Sequence, residues 1–237
     1  MTIEILIANV IVGFAGFVQT TTGIGFAMIA VPMLVLIDLS YAPGPSLFVM
    51  LFLSIAMVAG AWMDVDRQGF ATLLPGLLIG TVAGSLVLSM LSATAFGLVF
   101  GFIILGALAL GRIGFAPRQS PVVNASGGFV SGLMGTVSGI HGPPLAVVYQ
   151  RAEPATTRAT IAFVLVIASV LSLITLNSTG FFGREEALSG LSLVPGLAVG
   201  FALAVSGRRF IANSVARNAM LAIAAISAIT LIAKSVL

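Results

Sequence analysis

Long apolar runs separated by short polar gaps dominate the chain. Six of them, residues 45–62, 70–90, 96–111, 160–176, 188–205 and 218–236, approach the length of a bilayer crossing. A spanning helix needs ~17–25 residues, so these runs predict transmembrane helices. The apolar residues follow one another without the strict alternation of a membrane β-barrel, which excludes that architecture. Two further regions, 3–37 and 122–150, are too long for one crossing, and each is interrupted by a glycine cluster.

The two interruptions match. The first reads Gly16-Phe17-Val18-Gln19-Thr20-Thr21-Thr22-Gly23-Ile24-Gly25. The second reads Gly132-Leu133-Met134-Gly135-Thr136-Val137-Ser138-Gly139-Ile140-His141-Gly142-Pro143-Pro144. Gly16 to Gly23 and Gly132 to Gly139 are both seven steps, and both copies place hydroxyls just before Gly-Ile. A second match pairs Leu74-Pro75-Gly76-Leu77-Leu78-Ile79-Gly80 with Val194-Pro195-Gly196-Leu197-Ala198-Val199-Gly200, at an offset of 120 residues against 116 for the breaks. Ordered matches at nearly equal offsets point to duplication: a single membrane domain over 1–237, with internal repeats 1–115 and 121–237.

Basic residues decide how the broken regions cross. If each crosses once, the ten Lys and Arg divide five against five. If each is a hairpin returning to its starting side, Arg67, Arg112, Arg118, Arg151, Arg158, Arg208, Arg209 and Arg217 share one face, opposite Arg184 and Lys234 alone. The positive-inside rule favours the hairpins and makes the crowded face cytoplasmic, with both termini outside. Each half then has an odd number of segments, so successive halves insert in opposite orientations. The expected fold is an all-α integral membrane protein of two inverted repeats, each a broken helical hairpin plus three transmembrane helices.

Composition agrees. Of 237 residues, 59% are hydrophobic and 7% charged, where a soluble domain carries ~25% charge. The isoelectric point near 10.2 comes from a net charge of +3 on few charged groups and reads as loop topology, not nucleic-acid affinity. Without cysteine there is no disulfide, thiol nucleophile or thiolate metal site. The start Met-Thr-Ile-Glu lacks the basic region of a signal peptide and reads as a retained first helix.

The breaks carry the candidate chemistry. Broken helices at matching places in two halves are the best sequence pointer to a transporter's binding site. Gly23, Gly25, Gly139 and Gly142 let the backbone leave helical geometry. The helix that follows each break begins with unpaired N–H groups and the positive end of its dipole, which together suit an anion without any buried Lys or Arg. Thr20, Thr21, Thr22, Thr136 and Ser138 add hydroxyls and Gln19 an amide. Pro143 and Pro144 suit a helix start but remove two donors, which shifts weight to His141. His141 is the only histidine. An unperturbed imidazole titrates at ~6.5, and intramembrane ionisable groups are functional by default, so His141 is the candidate for substrate binding or proton coupling. The plain alternative is that Gly and Thr only pack helices and that His141 is a neutral, satisfied core residue. No carboxylate or histidine cluster suggests a metal, no catalytic triad is identifiable, and no phosphate loop with its lysine is present. No cofactor is expected.

Gly16-x6-Gly23-Ile24-Gly25-Phe26 with Pro32 downstream, and its partner Gly132-x6-Gly139-Ile140-His141-Gly142-Pro143, resemble the sulfite exporter TauE/SafE family of bacterial membrane transporters. The size, segment pattern and two-fold repeat fit over essentially the whole chain. The resemblance implies a multi-pass protein of the bacterial inner membrane that transports a small anion such as sulfite, an organosulfonate or a related carboxylate. The expected partners are that anion, the bilayer, a coupling ion (proton or sodium) and a second copy of the chain. The expected mechanism is alternating access around the two break tips. The rival readings are a small-solute channel and a membrane assembly protein that transports nothing.

Overall fold

The computed structural model describes residues 3–112 and 116–207, with scattered helical residues between 222 and 233. Every regular element among the described residues is helical. The first half holds α1 (Ile3–Thr22), α2 (Phe26–Ile37), α3 (Gly44–Ala59), α4 (Arg67–Met90) and α5 (Ala93–Arg112). The second holds α6 (Pro121–Ser138), α7 (Gly142–Val148), α8 (Pro154–Ser178) and α9 (Arg184–Gly207). Four of these, α1, α4, α8 and α9, are each long and apolar enough to cross a membrane, and the chain is a multi-pass membrane protein. The predicted crossings fall on α3, α4, α5, α8 and α9, while most of 218–236 lies outside the described residues. α3 stops at Ala59, short of Trp62, whose ring instead stacks edge-on against Phe163.

Side chains set the helix starts. Asp66 accepts the Gly69 N–H at 2.8 Å to begin α4, and Ser120 accepts from Val123 just before Pro121 opens α6. The matched Pro75 and Pro195 lie inside α4 and α9. Both predicted breaks are real interruptions. Gly23, Gly25 and Gly139 have φ of 91°, 130° and 81°, a left-handed range that side-chain-bearing residues avoid.

Both broken regions are hairpins. α1 packs against α2. Burial first, then Asp38 and Glu4, push the phenol pKa of Tyr41, just past α2, up. In the second region Gly127 of α6 packs against Val148 at the end of α7, and the Ser131 hydroxyl donates to the His141 carbonyl at 2.9 Å.

Glycine faces join the halves. A Cβ at Gly76 or Gly80 of α4 would collide with the backbone of Ala125 or Phe129 on α6. A Cβ at Gly196 or Gly200 of α9 would collide with the backbone of Asn9 or Gly13 on α1. Each pair of helices therefore runs parallel at closest approach, as small-residue interfaces allow in membranes. Asn9 fixes the second pair, accepting the Gly196 N–H at 2.7 Å and donating to the Ser192 carbonyl at 3.0 Å.

These contacts separate two ends of the bundle. At one end, Gly44 at the start of α3 meets Phe181, Phe182 and Glu186, beside the start of α9. At the other, the Asp66 N–H donates to Thr160 of α8, and Asn124 of α6 donates to Thr72 of α4. Glu4, Asp38, Glu185 and Glu186 fall at the first end with Arg184; Arg67, Arg118, Arg151 and Arg158 fall at the second with Asp64, Asp66 and Glu153. Arg208, Arg209, Arg217 and Lys234 lie outside the described residues.

Candidate functional site

The two hairpins enter from opposite ends and their tips pass one another inside the bundle. A Cβ at Gly142 would sit 2.9 Å from Cγ2 of Ile24. Between them lies a tight gap with room for about one water, lined by Gln19, Ile24, Gly25 and Met28 of the first hairpin and by Ile140, Gly142 and Pro143 of the second. Ala27, Met50 of α3 and Leu165 of α8 complete the wall.

Gln19 is the polar group of this cavity. It is buried, and its Oε1 accepts the N–H of Phe26, the first residue of α2, at 2.8 Å. That bond fixes the amide orientation, because an N–H needs the oxygen as its acceptor. Gln19 Nε2 is left buried with no partner in the protein. Gly25 offers α2 no side-chain cap, and of the first N–H groups only that of Phe26 is taken by a side chain, so those of Ala27 and Met28 have no side-chain acceptor. A buried amide donor with no partner costs ~1–3 kcal/mol, which marks this corner as suited to an acceptor.

The predicted hydroxyls take other roles. Thr20 donates to the Gly16 carbonyl at 2.8 Å, Thr21 to Phe17 and Val18, and Thr22 to Val18 and Ile24. Ser138 donates to the Met134 carbonyl at 2.7 Å and accepts from Ile140 N–H. Most of these are back-bonds to carbonyls of the preceding helical turn, the local competition expected of hydroxyls near a helix end. Their donors are engaged, so in this conformation the cavity has its amide from Gln19 and not from the hydroxyls.

His141 faces away from the cavity wall. It is fully buried, its Nδ1 lies 2.9 Å from the Ser131 carbonyl, and its Nε2 lies 3.4 Å from Ser172 Oγ on α8. Ser172 Oγ in turn sits 2.8 Å from Thr136 Oγ1. A Cβ at Gly135 would collide with the imidazole, so the second glycine of the break makes room for the ring. The structure thus gathers Gln19, Gly25 and Gly142 at the cavity, and Thr136 and His141 in a separate network beside it. Ser138 and Gly139 stand at the tip itself.

Each tip glycine meets the early turns of a helix from the other hand of the bundle. A Cβ at Gly23 would collide with the aliphatic stem of Arg158, near the start of α8. A Cβ at Gly139 would lie 2.9 Å from Ser46 Oγ, near the start of α3. Arg158 and Leu165 lie two turns apart on one face of α8, so an exposed guanidinium caps the wall that Leu165 forms. The apolar wall residues Met28, Met50 and Leu165 carried no signal in a sequence where most residues are apolar. Ser172 did carry one, as a polar residue inside a crossing helix.

A family model described as Sulfite exporter TauE/SafE matches residues 8–231. The chain belongs to the TauE/SafE sulfite exporter family. Among curated proteins it resembles a protein named probable sulfite/organosulfonate exporter TauE from Cupriavidus necator, at 27% identity over 215 residues covering 84% of this chain and 81% of the relative. No solved structure matches significantly. The TauE/SafE match spans both breaks, both glycine faces, most of α1 and all of α2 to α9.

Proposed function

We propose that this TauE/SafE member is a secondary transporter that carries a small oxyanion, sulfite or an organosulfonate, by alternating access between two inverted halves. Gln19 carries the reading: its Nε2 is buried and unpartnered beside the start of α2, inside the cavity between the hairpin tips. Oxyanions of this class present several oxygens on one side, which suits an amide donor and successive backbone N–H groups together. α7 contributes less, since Pro143 and Pro144 bring no N–H to its first turn. The name of the Cupriavidus relative supports the substrate class.

Inverted halves are supported by register. Gly76 and Gly80 approach Ala125 and Phe129, while Gly196 and Gly200 approach Asn9 and Gly13. Both sets of partners differ by the 116 residues that separate the breaks. The α4/α6 and α1/α9 pairs also run in opposite directions between the two ends. We assign the basic end to the cytoplasm of a bacterial inner membrane. Arg158 there gathers anions towards the first tip, and His141 couples a proton through Ser172 without touching the substrate.

The test is thermal unfolding of purified protein with sulfite, sulfate, organosulfonates or small carboxylates. Sulfite or a sulfonate raises the melting temperature of the wild type and not of Gln19→Leu. A Gln19→Leu variant stabilised as much as the wild type contradicts the site.

A further inference from the structure

A second group of unpartnered oxygens lies at the basic end, away from the cavity. The start of α4, the turn after α7 and the start of α6 converge on Gly69. A Cβ at Gly69 would collide with Asp66 Oδ2 and lie 2.7 Å from Tyr149 Oη, so both oxygens point to one spot. Tyr149 is fully buried, yet its Oη has no partner in the protein. Asn124, also buried, uses Nδ2 to donate to Thr72 Oγ1 at 2.8 Å and to the Gly69 carbonyl at 3.4 Å. Thr72 spends its own proton on that carbonyl, which fixes the Asn124 amide and leaves its Oδ1 buried without a donor.

The charges fit a cation. Asp66 Oδ1 is held by the Gly69 N–H, while Oδ2 stands free of a protein donor in a half-buried position that water reaches. The neighbouring Arg67 guanidinium lies over the Trp62 ring, 5.4 Å from its centre. One carboxylate with two neutral oxygens carries a single negative charge, too little for a divalent ion, which takes 6–8 oxygens and usually several carboxylates. Among the described residues no group of three or more His, Cys, Asp or Glu exists that could hold such an ion.

We propose that Asp66, Asn124 and Tyr149 form a binding site for a small monovalent cation, Na+, with water completing the shell. Tyr149 caps the C-terminal end of α7, and the other end of α7, at Gly142 and Pro143, lines the anion cavity. Seven residues of helix therefore join the two sites over ~10 Å. Linked binding of Na+ and anion rests on the transport reading above; Na+ binding itself does not.

The experiment is thermal unfolding of the full chain in NaCl, KCl or choline chloride at equal ionic strength, without sulfur oxyanions. Na+ raises the wild-type melting temperature by about 2–4 °C over choline. Asp66→Asn and Tyr149→Phe abolish that rise while matching each other in choline, since Asn still caps α4 and Phe keeps the buried ring. Equal unfolding in Na+ and choline, or an undiminished Na+ response in both variants, overturns the site and leaves only hydrated side chains. Titrating sulfite with and without Na+ then separates the two claims. An Na+ response without sulfite binding contradicts the anion site alone, and sulfite affinity indifferent to Na+ contradicts the linkage alone.

Discussion

The two hairpin tips occupy equivalent places and meet different chemistry. Gly23 lies beneath the stem of Arg158 at the basic end, and Gly139, its match, lies beside Ser46 Oγ at the acidic end. The positions behind the tips exchange roles. In the first half Gln19 is the large polar side chain and Gly25 is bare; their counterparts at the 116-residue offset are Gly135 and His141, where the bare residue houses the imidazole. The first tip thus presents a free amide to the cavity, and the second folds its polar side chain into a network with Ser131 and Ser172. The two breaks share their sequence spacing, and their chemistry differs where a glycine and a polar residue stand in exchanged places.

The comparison breaks most severely at the frame. Gly80→Val and Gly200→Val both force a branched side chain into the backbone of the facing helix. Each should cost more than about 3 kcal/mol and abolish folded, monodisperse protein in size-exclusion chromatography. A tolerated substitution on one side only would separate the two interfaces. At the first tip, Gln19→Leu should weaken sulfite binding by about 10–100-fold, the worth of a hydrogen bond to a charged group, beside a cost of about 1–3 kcal/mol in ligand-free stability from the Phe26 N–H it leaves without its acceptor. At the second tip, His141→Gln should leave sulfite binding within about threefold, because the ring does not line the cavity, yet flatten the pH dependence of transport. Unchanged pH dependence removes its coupling role.

Smaller effects sharpen the difference between ends. Arg158→Gln should lower sulfite uptake from the basic side by about 2–5-fold at low salt and by less at 0.5 M salt, since exposed charge is screened. Ser46→Ala at the other tip should change it little. Single cysteines at 67 and 184 test which end is which, as the chain has none of its own. Position 184 should label from outside intact cells and position 67 should not. The smallest effect concerns the Tyr149 phenol, whose pKa burial first and then Asp66 push up. A folded-state pKa above the ordinary value of 10.0 gives stability that is complete below that value and lost as pH rises beyond it. Tyr149→Phe should therefore unfold with a shallower pH slope above pH 10, measured by urea titration.

Hydropathy located the helices α3, α4, α5, α8 and α9, of which α4, α8 and α9 are long and apolar enough to cross, and the two glycine clusters located both breaks. The arginine distribution favoured hairpins, and the packing of α1 on α2 and of Gly127 on Val148 agrees. The hydroxyls were harder to read. Thr20, Thr21, Thr22 and Ser138 look like donors in sequence, but a carbonyl three or four residues earlier captures each one. That competition is local and leaves no mark in composition. Nor does sequence say which way an imidazole turns; the space at Gly135 decides it. Gln19 was visible as one amide among several polar residues, and only the Phe26 N–H bond singles out its free nitrogen.

The central claim is an anion carried between two tips, with Gln19 as its donor. Counterflow of labelled sulfite in proteoliposomes tests it most directly, comparing the wild type with Gln19→Leu. The account predicts saturable counterflow in the wild type and its loss in a Gln19→Leu protein that still folds. Flux that never saturates, or a Gln19→Leu protein that exchanges sulfite as the wild type does, contradicts it.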